Sequence, residues 1–265
     1  LYMHPGVQSA TAPLLIAVSE KFGVSSPEFT QVVSELEKLV FGFSLVMSHG
    51  VQGYRNILAS VANDLYWSNA DDSTVEDIFN STNDRYKGYK SKELGIKKCL
   101  ERLREKRERI TDINEVVSDY LTEPDVLEGN FTSGWGGIRS NEVIKYIMYE
   151  YEEHLRDTSG VLSLAPYHEF RKEFDVEHLV AKNAKAEDKL RNHKQNRNRI
   201  GNLAVLSVEQ NQSKGNSAYE RKYEDIYSNS SLKVLRNLTG PEISVNDIHR
   251  REEEKIIPFI MSRWG

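Results

Sequence analysis

The chain has 265 residues, 38% of them hydrophobic, and carries 35 Lys and Arg against 40 Asp and Glu, so its formal net charge is −5 at pH 7. This length fits one or two domains. The single cysteine, Cys99, excludes an internal disulfide framework and any zinc site built from several cysteines, and we expect a cytoplasmic protein. No apolar run approaches the ~18 residues of a membrane span, so no membrane association is expected. Because the chain begins at Leu1, we expect a fragment or a processed form.

The first 130 residues have the apolar spacing of helices, with apolar side chains recurring at intervals of three and four. The segments predicted to be helical here are 9–22, 26–48, 51–68 and 90–110. Ser26 followed by Pro27 is a favourable start for the second helix. Gly23 is a favourable end for the first.

A glycine- and serine-rich stretch at 126–140 separates this region from the rest. We place the domain boundary there, and predict a helical scaffold over 1–130 and a second domain over 131–265. In the second domain the spacing predicts helices over 141–157, 208–229 and 244–264, and short strands over 161–165, 173–180 and 199–207. Ser244 can cap the last helix, and Pro258 should kink it.

The two parts of the chain differ in charge. Residues 1–160 hold 17 Lys and Arg against 25 Asp and Glu, whereas 161–265 hold 18 against 15. The basic excess lies in 182–199, which has 7 basic and 2 acidic side chains. A basic, asparagine-rich segment is usually a solvated loop, and it can also track a phosphate backbone. The candidates for contacting DNA are the cations of this segment and one beyond it, namely Lys182, Lys185, Lys189, Arg191, Lys194, Arg197, Arg199 and Lys214.

A carboxylate and a histidine stand side by side in the second predicted strand, at Glu177 and His178. A neutral imidazole can take a proton from water at pH 7. The Glu177 carboxylate and the amide oxygen of Asn211, in the next helix, are hard oxygen ligands that suit Mg²⁺. Asn202, near the start of the next strand, can hold the hairpin or orient the His178 ring. A base, a hard-cation site and nearby basic side chains are the groups that hydrolysis of a phosphodiester requires.

Simpler interpretations of these residues stay open. Taken alone, His178 is a structural histidine, Glu177 an orienting partner of a basic residue, and Asn202 part of a turn. Neighbouring residues of a regular strand point to opposite faces. Glu177 and His178 therefore meet at one point only if the strand ends or bends there.

Three segments in this order, FDVEHLVAK, RIGNLAVLS and NQSKGNSAYERK, resemble the HNH (His-Me finger) nuclease domain of GmrSD-type modification-dependent restriction endonucleases. The resemblance covers 141–264. Residues 1–130 resemble, less specifically, the helical linker that joins such a nuclease to an NTPase-like sensor domain. The positions that match the family's pattern are Glu177, His178, Leu179, Gly201–Ser207, Asn211, Asn216, Tyr219 and Lys222. Ala181 and Lys182 depart from the Pro and Gln that are usual there.

The resemblance implies a mainly α fold, in which a helical N-terminal region precedes a small ββα-metal (His-Me finger) nuclease core flanked by helices. It implies that His178 is the general base and that Glu177 and Asn211 hold one Mg²⁺, for which Mn²⁺ can substitute. Asn202 is then the middle Asn of the motif, and Asn211 stands where the last His often stands, so both are counted with His178 as catalytic.

The function implied is metal-dependent hydrolysis of DNA by the effector part of a modification-sensing anti-phage restriction system. The DNA would carry a phosphorothioate backbone or sugar-modified bases, and the sensor domain would lie upstream of this chain. The alternative is a non-catalytic helical module that binds DNA or docks a partner. Such a module would need no metal, and its affinity for DNA would simply fall with salt.

Overall fold

The computed structural model describes residues 5–42, 52–67, 96–110, 112–115, 117 and 140–265. Over these residues the protein is mostly helical, with one two-stranded antiparallel sheet, so the predicted mainly α character is confirmed. The chain divides into two compact units, Leu1–Ile113 with Trp264 and Asn114–Arg263 with Gly265. The boundary predicted at 126–140 falls almost wholly outside the described residues.

In the described part of the first unit there are four long helices: α1 (Pro5–Phe22), α2 (Pro27–Val40), α3 (Gln52–Trp67) and α4 (Ile96–Ile110). A three-residue helix, α5 (Ile113–Glu115), lies at the division between the units. Helix α1 packs against α2 and α3, and α4 packs against the same two helices. Their inward faces bury aliphatic side chains, as the apolar spacing predicts.

The ends of α1 and α2 follow from their sequence signals. Gly23 ends α1 with a φ of 87°, a left-handed conformation that favours glycine. Ser26 caps α2, because its hydroxyl accepts a hydrogen bond from the Phe29 N–H at 3.0 Å. Beyond residue 42, the helix predicted over 26–48 lies outside the described residues, as do residues 90–95 of the helix predicted over 90–110.

The second unit contains a hairpin of two strands, β1 (Phe174–His178) and β2 (Leu203–Ser207). The α-helices described over residues 140–265 are α6 (Ser140–Asp157), α7 (Tyr167–Glu173), α8 (His193–Asn196), α9 (Val208–Lys214), α10 (Tyr219–Asp225), α11 (Lys233–Arg236), α12 (Val245–Arg251) and α13 (Ile257–Trp264). Helices α6 and α9 contact both strands, and α11 contacts β2. The strands pair antiparallel, in a register that runs from Phe174 opposite Ser207 to His178 opposite Leu203.

Four predicted elements of this unit differ from the structure. Residues 161–165 form no strand, and the apolar side chain of Leu162 there is left 88% exposed. The strand predicted over 199–207 begins only at Leu203, after a 3₁₀ turn at Ile200–Asn202. The helix predicted over 208–229 is broken at Gly215, whose φ is 38°.

The fourth difference concerns the last predicted helix. Its cap is confirmed, since Ser244 and Asp247 form a reciprocal capping box. The helix widens into a π turn over Glu252–Ile256, and Pro258 lies in the first turn of α13. No helix within the described parts of the chain is both long and apolar enough to cross a membrane.

Candidate functional site

His178 is the last residue of β1, and the strand is regular up to it. The pairing of Glu177 with Ala204 and of His178 with Leu203 continues the ladder without a bend, so the two side chains leave opposite faces of the strand. The half-buried His178 ring places its Nε2 3.1 Å from Oδ1 of the buried Asn198. Burial lowers the pKa of His178 to about 4, although the hydrogen bond with Asn198 acts in the other direction. The imidazole is therefore neutral at pH 7 and able to accept a proton.

Glu177 lies on the other face of β1, in a buried ion pair. Its Oε1 accepts hydrogen bonds from Lys222 Nζ at 2.7 Å and from the Tyr227 hydroxyl at 2.6 Å. Lys222 also donates to the carbonyl oxygen of His178 at 3.0 Å. Burial and the neighbouring carboxylate raise the pKa of Tyr227 well above its ordinary value, so it remains a donor. The structure thus does not bring the two predicted groups, Glu177 and His178, to one point.

Asn211, on α9, contacts the backbone of β1 two residues before His178. Its Nδ2 donates to the carbonyl oxygen of Val176 at 3.2 Å. The amide nitrogen of Asn211 is thus used as a donor. Its oxygen, Oδ1, accepts no hydrogen bond from any residue that the structure describes. Asn211 is partly exposed, so this oxygen can face a ligand.

Asn202 closes the hairpin and does not contact the His178 ring. It is fully buried, its Oδ1 accepts from the Val180 N–H at 3.0 Å, and its Nδ2 donates to Val180 O at 3.1 Å and Arg197 O at 2.7 Å. Of the two functions left open by the sequence, the structure therefore shows the holding of the hairpin. The ring contact belongs to Asn198, four residues earlier.

The turn before β2 is fixed from outside by α12 and the π turn. A Cβ at Gly201 would lie 2.1 Å from the carbonyl oxygen of Ile248, so only glycine fits. Arg251 donates to the carbonyl oxygens of Gly201 at 2.7 Å and Leu203 at 2.8 Å. Glu252 is fully buried and pairs with Arg199. The C-terminal helices thus position the residues that lead into the site.

The basic segment 182–199 is a folded loop. His193 Nε2 bonds to Lys182 O at 3.1 Å, and Asn196 Oδ1 bonds to Nε2 of His249 at 3.0 Å. Its exposed cations are Lys182, Lys185, Lys189, Arg191 and Lys194, while Arg197 is half-buried. The remaining two predicted DNA contacts are engaged elsewhere, since Arg199 pairs with Glu252 and Lys214 pairs with Asp225 at 2.7 Å.

The two predicted metal ligands, Glu177 and Asn211, fit a hard cation only in part. Asn211 offers a neutral amide oxygen of the required kind. The Glu177 carboxylate would first have to give up Lys222 and Tyr227, at a cost typical of breaking a buried ion pair. Within the described ranges, no group of three or more His, Cys, Asp or Glu side chains is arranged to hold a metal ion. Any ion here would depend on water and substrate oxygens for most of its ligands.

Two contacts of this site were not predicted from the sequence. The sequence matches Lys222 to the family's pattern but does not identify the residue that it contacts. In the structure, Lys222 forms an ion pair with Glu177. Asn198 carried no separate signal, because it is one of several asparagines in the basic segment. Only its position four residues before Asn202, within the turn that closes the hairpin, sets it apart.

Residues 126–257 match the family model of the GmrSD restriction endonucleases, C-terminal domain. The matched range includes His178, Asn202, Asn211 and the whole basic segment. The match suggests a restriction-endonuclease-type function with DNA as the substrate. No curated protein and no solved structure matches the chain significantly.

Proposed function

On the premise of this match to a restriction endonuclease domain, we propose that the chain is a metal-dependent DNA endonuclease of the HNH type. It would be the effector part of a modification-sensing restriction system directed against phage. The hairpin β1–β2 with α9 would be its ββα-metal core. The observation that carries the proposal is the half-buried, neutral His178 at the end of β1, next to a folded loop rich in exposed cations.

In the proposed reaction, His178 is the general base. Its neutral ring takes a proton from water, and the hydroxide so formed attacks the phosphorus of the scissile phosphodiester. The bond from phosphorus to the 3′ oxygen then breaks, leaving a 5′ phosphate on one fragment and a 3′ hydroxyl on the other once the leaving oxygen is protonated by solvent. Asn202 contributes by holding the hairpin on which His178 stands.

Mg²⁺, or Mn²⁺ in its place, is the proposed cofactor, and Asn211 Oδ1 is the ligand that the arrangement supports best. The predicted second ligand, Glu177, is engaged by Lys222 and Tyr227. A divalent ion would stabilise negative charge on the phosphate and on the departing oxygen. Because Mg²⁺ usually keeps several waters and needs few protein ligands, one amide oxygen is compatible with such a site.

The exposed cations of 182–199 would bind the DNA backbone. Lys182, Lys185, Lys189, Arg191 and Lys194 are exposed, so each can reach a phosphate from the protein surface. Arg199 and Lys214 would have to break ion pairs to do the same. DNA with a phosphorothioate backbone or sugar-modified bases is the proposed target, and selection of that target is assigned to an upstream sensor domain.

The decisive experiment is nicking of supercoiled plasmid DNA by His178→Ala in Mg²⁺ or Mn²⁺. Loss of a general base costs about 10²–10⁴-fold in rate, so we expect at least a hundredfold loss with DNA binding retained. His168→Ala is the matched control, because His168 is an exposed histidine of the same unit with 66% of its side chain accessible. Cleavage by His178→Ala at the wild-type rate would refute the assignment.

One observation favours a second function, a non-catalytic module that grips DNA. The Glu177 carboxylate, the only acidic group of the predicted metal site, faces away from His178. A DNA-binding titration separates the two functions. A module would show no dependence on Mg²⁺ or Mn²⁺, no cleavage of any DNA, and an affinity that falls with salt alone.

A further inference from the structure

We propose that Asn198 is a positioning residue that makes Nδ1 of His178 the proton-accepting atom. This inference rests on the proposed function, in which His178 is the base. It goes beyond that function by naming the nitrogen that reacts and the side chain that selects it.

The selection follows from the chemistry of the contact. Oδ1 of Asn198 lies 3.1 Å from Nε2 of His178, and an amide oxygen can only accept a hydrogen bond. Nε2 must therefore carry the proton and donate it. In a neutral imidazole the other nitrogen, Nδ1, then holds the lone pair. The opposite tautomer would set two acceptors against each other and would leave Nδ1 protonated and unable to act as a base.

Asn198 is held on a fixed backbone, so the contact is pre-organised. It is fully buried, and both of its chain neighbours are tied down. The carbonyl oxygen of Arg197 accepts from Asn202 at 2.7 Å, and the guanidinium of Arg199 pairs with Glu252. A ring partner held in this way restrains the orientation of the imidazole as well as its tautomer.

The same segment offers a matched control in Asn196. Its Oδ1 bonds to Nε2 of His249 at 3.0 Å, so it is a second buried asparagine with an imidazole partner, two residues from the first. Its amide nitrogen donates to Arg191 O at 3.0 Å, so both ends of this side chain are engaged away from His178. A change at Asn196 therefore reports the general cost of losing an asparagine–histidine contact in this segment.

The first test is the tautomer itself, read from ¹⁵N–¹H correlation spectra of the histidine rings at neutral pH, with His178 assigned by its loss in His178→Ala. We expect the Nε2–H form in the wild type and in Asn198→Asp, which keeps an acceptor oxygen. In Asn198→Ala we expect a mixture of the two tautomers. Asn196→Ala should leave the His178 signals unchanged. A wild-type ring protonated at Nδ1 would overturn the inference.

The second test is plasmid nicking in Mn²⁺ together with DNA affinity. Loss of a partner that orients a metal-bound imidazole typically costs about 10–100-fold. We expect a loss of rate in the same range in Asn198→Ala at an unchanged Kd for DNA, and recovery in Asn198→Asp. Equal losses in Asn198→Ala and Asn196→Ala would show a merely structural role and overturn the inference. Cutting by His178→Ala at the wild-type rate would refute the proposed function. An inactive His178→Ala together with a fully active Asn198→Ala would refute only the role of Asn198.

Discussion

Lys222 and Glu177 form a buried ion pair across the face of β1 that is opposite His178. Their side chains are 1% and 5% accessible, and the Lys222 Nζ to Glu177 Oε1 distance is 2.7 Å. Lys222 also reaches the backbone of His178, so the pair fixes the strand that carries the proposed base. The two residues lie 45 positions apart in sequence, which means that α10 is tied to β1 by this contact.

Removing the cation of this pair should strongly destabilise the second unit. Lys222→Met leaves the Glu177 carboxylate buried with only the Tyr227 hydroxyl as a partner, and breaking a buried pair in this way costs about 3–5 kcal/mol. Urea unfolding followed by circular dichroism would measure the loss. Lys194→Met, at an exposed cation, is the control and should change stability by less than about 0.5 kcal/mol.

The double variant Glu177→Gln/Lys222→Met should recover much of that stability, because neither partner then leaves an uncompensated buried charge. Mn²⁺ binding of the folded Glu177→Gln protein is the complementary measurement. If Glu177→Gln abolished Mn²⁺ binding while leaving unfolding unchanged, Glu177 would be a metal ligand, and the structural role would be wrong.

Gly201→Ala should destabilise the protein by displacing α12 from the turn before β2. The added methyl group would lie 2.1 Å from Ile248 O, and overpacking of this kind typically costs about 1–3 kcal/mol. We expect a lower thermal midpoint and slower nicking in the same variant, since the turn leads into the site.

Gly160→Ala serves as the comparison for Gly201→Ala. Gly160 has a φ of 63°, with nothing near the added Cβ, so its variant reports backbone strain alone, about 1 kcal/mol. If Gly201→Ala were as stable as the wild type, the close approach of Ile248 would not exist in solution.

Protein stability should fall as the pH is lowered from about 6.5 to about 4, partly because of His178. Its folded-state pKa is lowered from 6.5 to about 4, so in this window the unfolded chain binds a proton that the folded protein excludes. Above pH 6.5 the ring is neutral in both states, so His178 costs no stability there. As the pH falls to the folded pKa, the stability lost through His178 reaches at most about 3 kcal/mol.

The measurement is the free energy of unfolding from urea titrations at several pH values, compared between the wild type and His178→Gln. The variant lacks the titrating ring, so its stability should depend less on pH over this window. Parallel curves for the two proteins would mean that His178 titrates near its ordinary pKa in the folded state.

The cations of 182–199 should separate into two classes when each is replaced by Met. Lys194 is exposed, so Lys194→Met should reduce the slope of log Kobs against log salt by about 1 with little change in stability. Arg199→Met should instead leave Glu252 buried without its cation and cost about 3 kcal/mol. Filter binding at several salt concentrations and thermal unfolding of both variants test this division. Equal salt slopes for Lys194→Met and the wild type would exclude Lys194 as a phosphate contact.

The helices and the hairpin could largely be predicted from the sequence, because apolar spacing and capping residues act locally. Ser26 and Ser244 cap the helices that they were predicted to cap. The strand predicted over 161–165 was wrong because alternating apolar residues are typical of a strand, although a strand forms only where a neighbour supplies the hydrogen bonds.

The candidate site was predictable only to the level of its motif. The order of His178, Asn202 and Asn211 along the chain could be recognised, but the face to which Glu177 points depends on where β1 ends. Whether a cation is available to DNA likewise depends on distant partners, as with Arg199 and Glu252, which are 53 residues apart. Long-range pairing of this kind leaves no local signal in a single sequence.

The contact of Gly201 with Ile248 also sets a limit on how far the chain can be shortened. The motif segments end at Lys222, so a fragment cut to contain the motifs alone would stop well before α12. Such a fragment would lack Ile248, Arg251 and Glu252, which together hold the turn that leads into β2. The smallest piece able to fold around His178 therefore has to extend through the π turn at Glu252–Ile256, although none of those residues belongs to the motif.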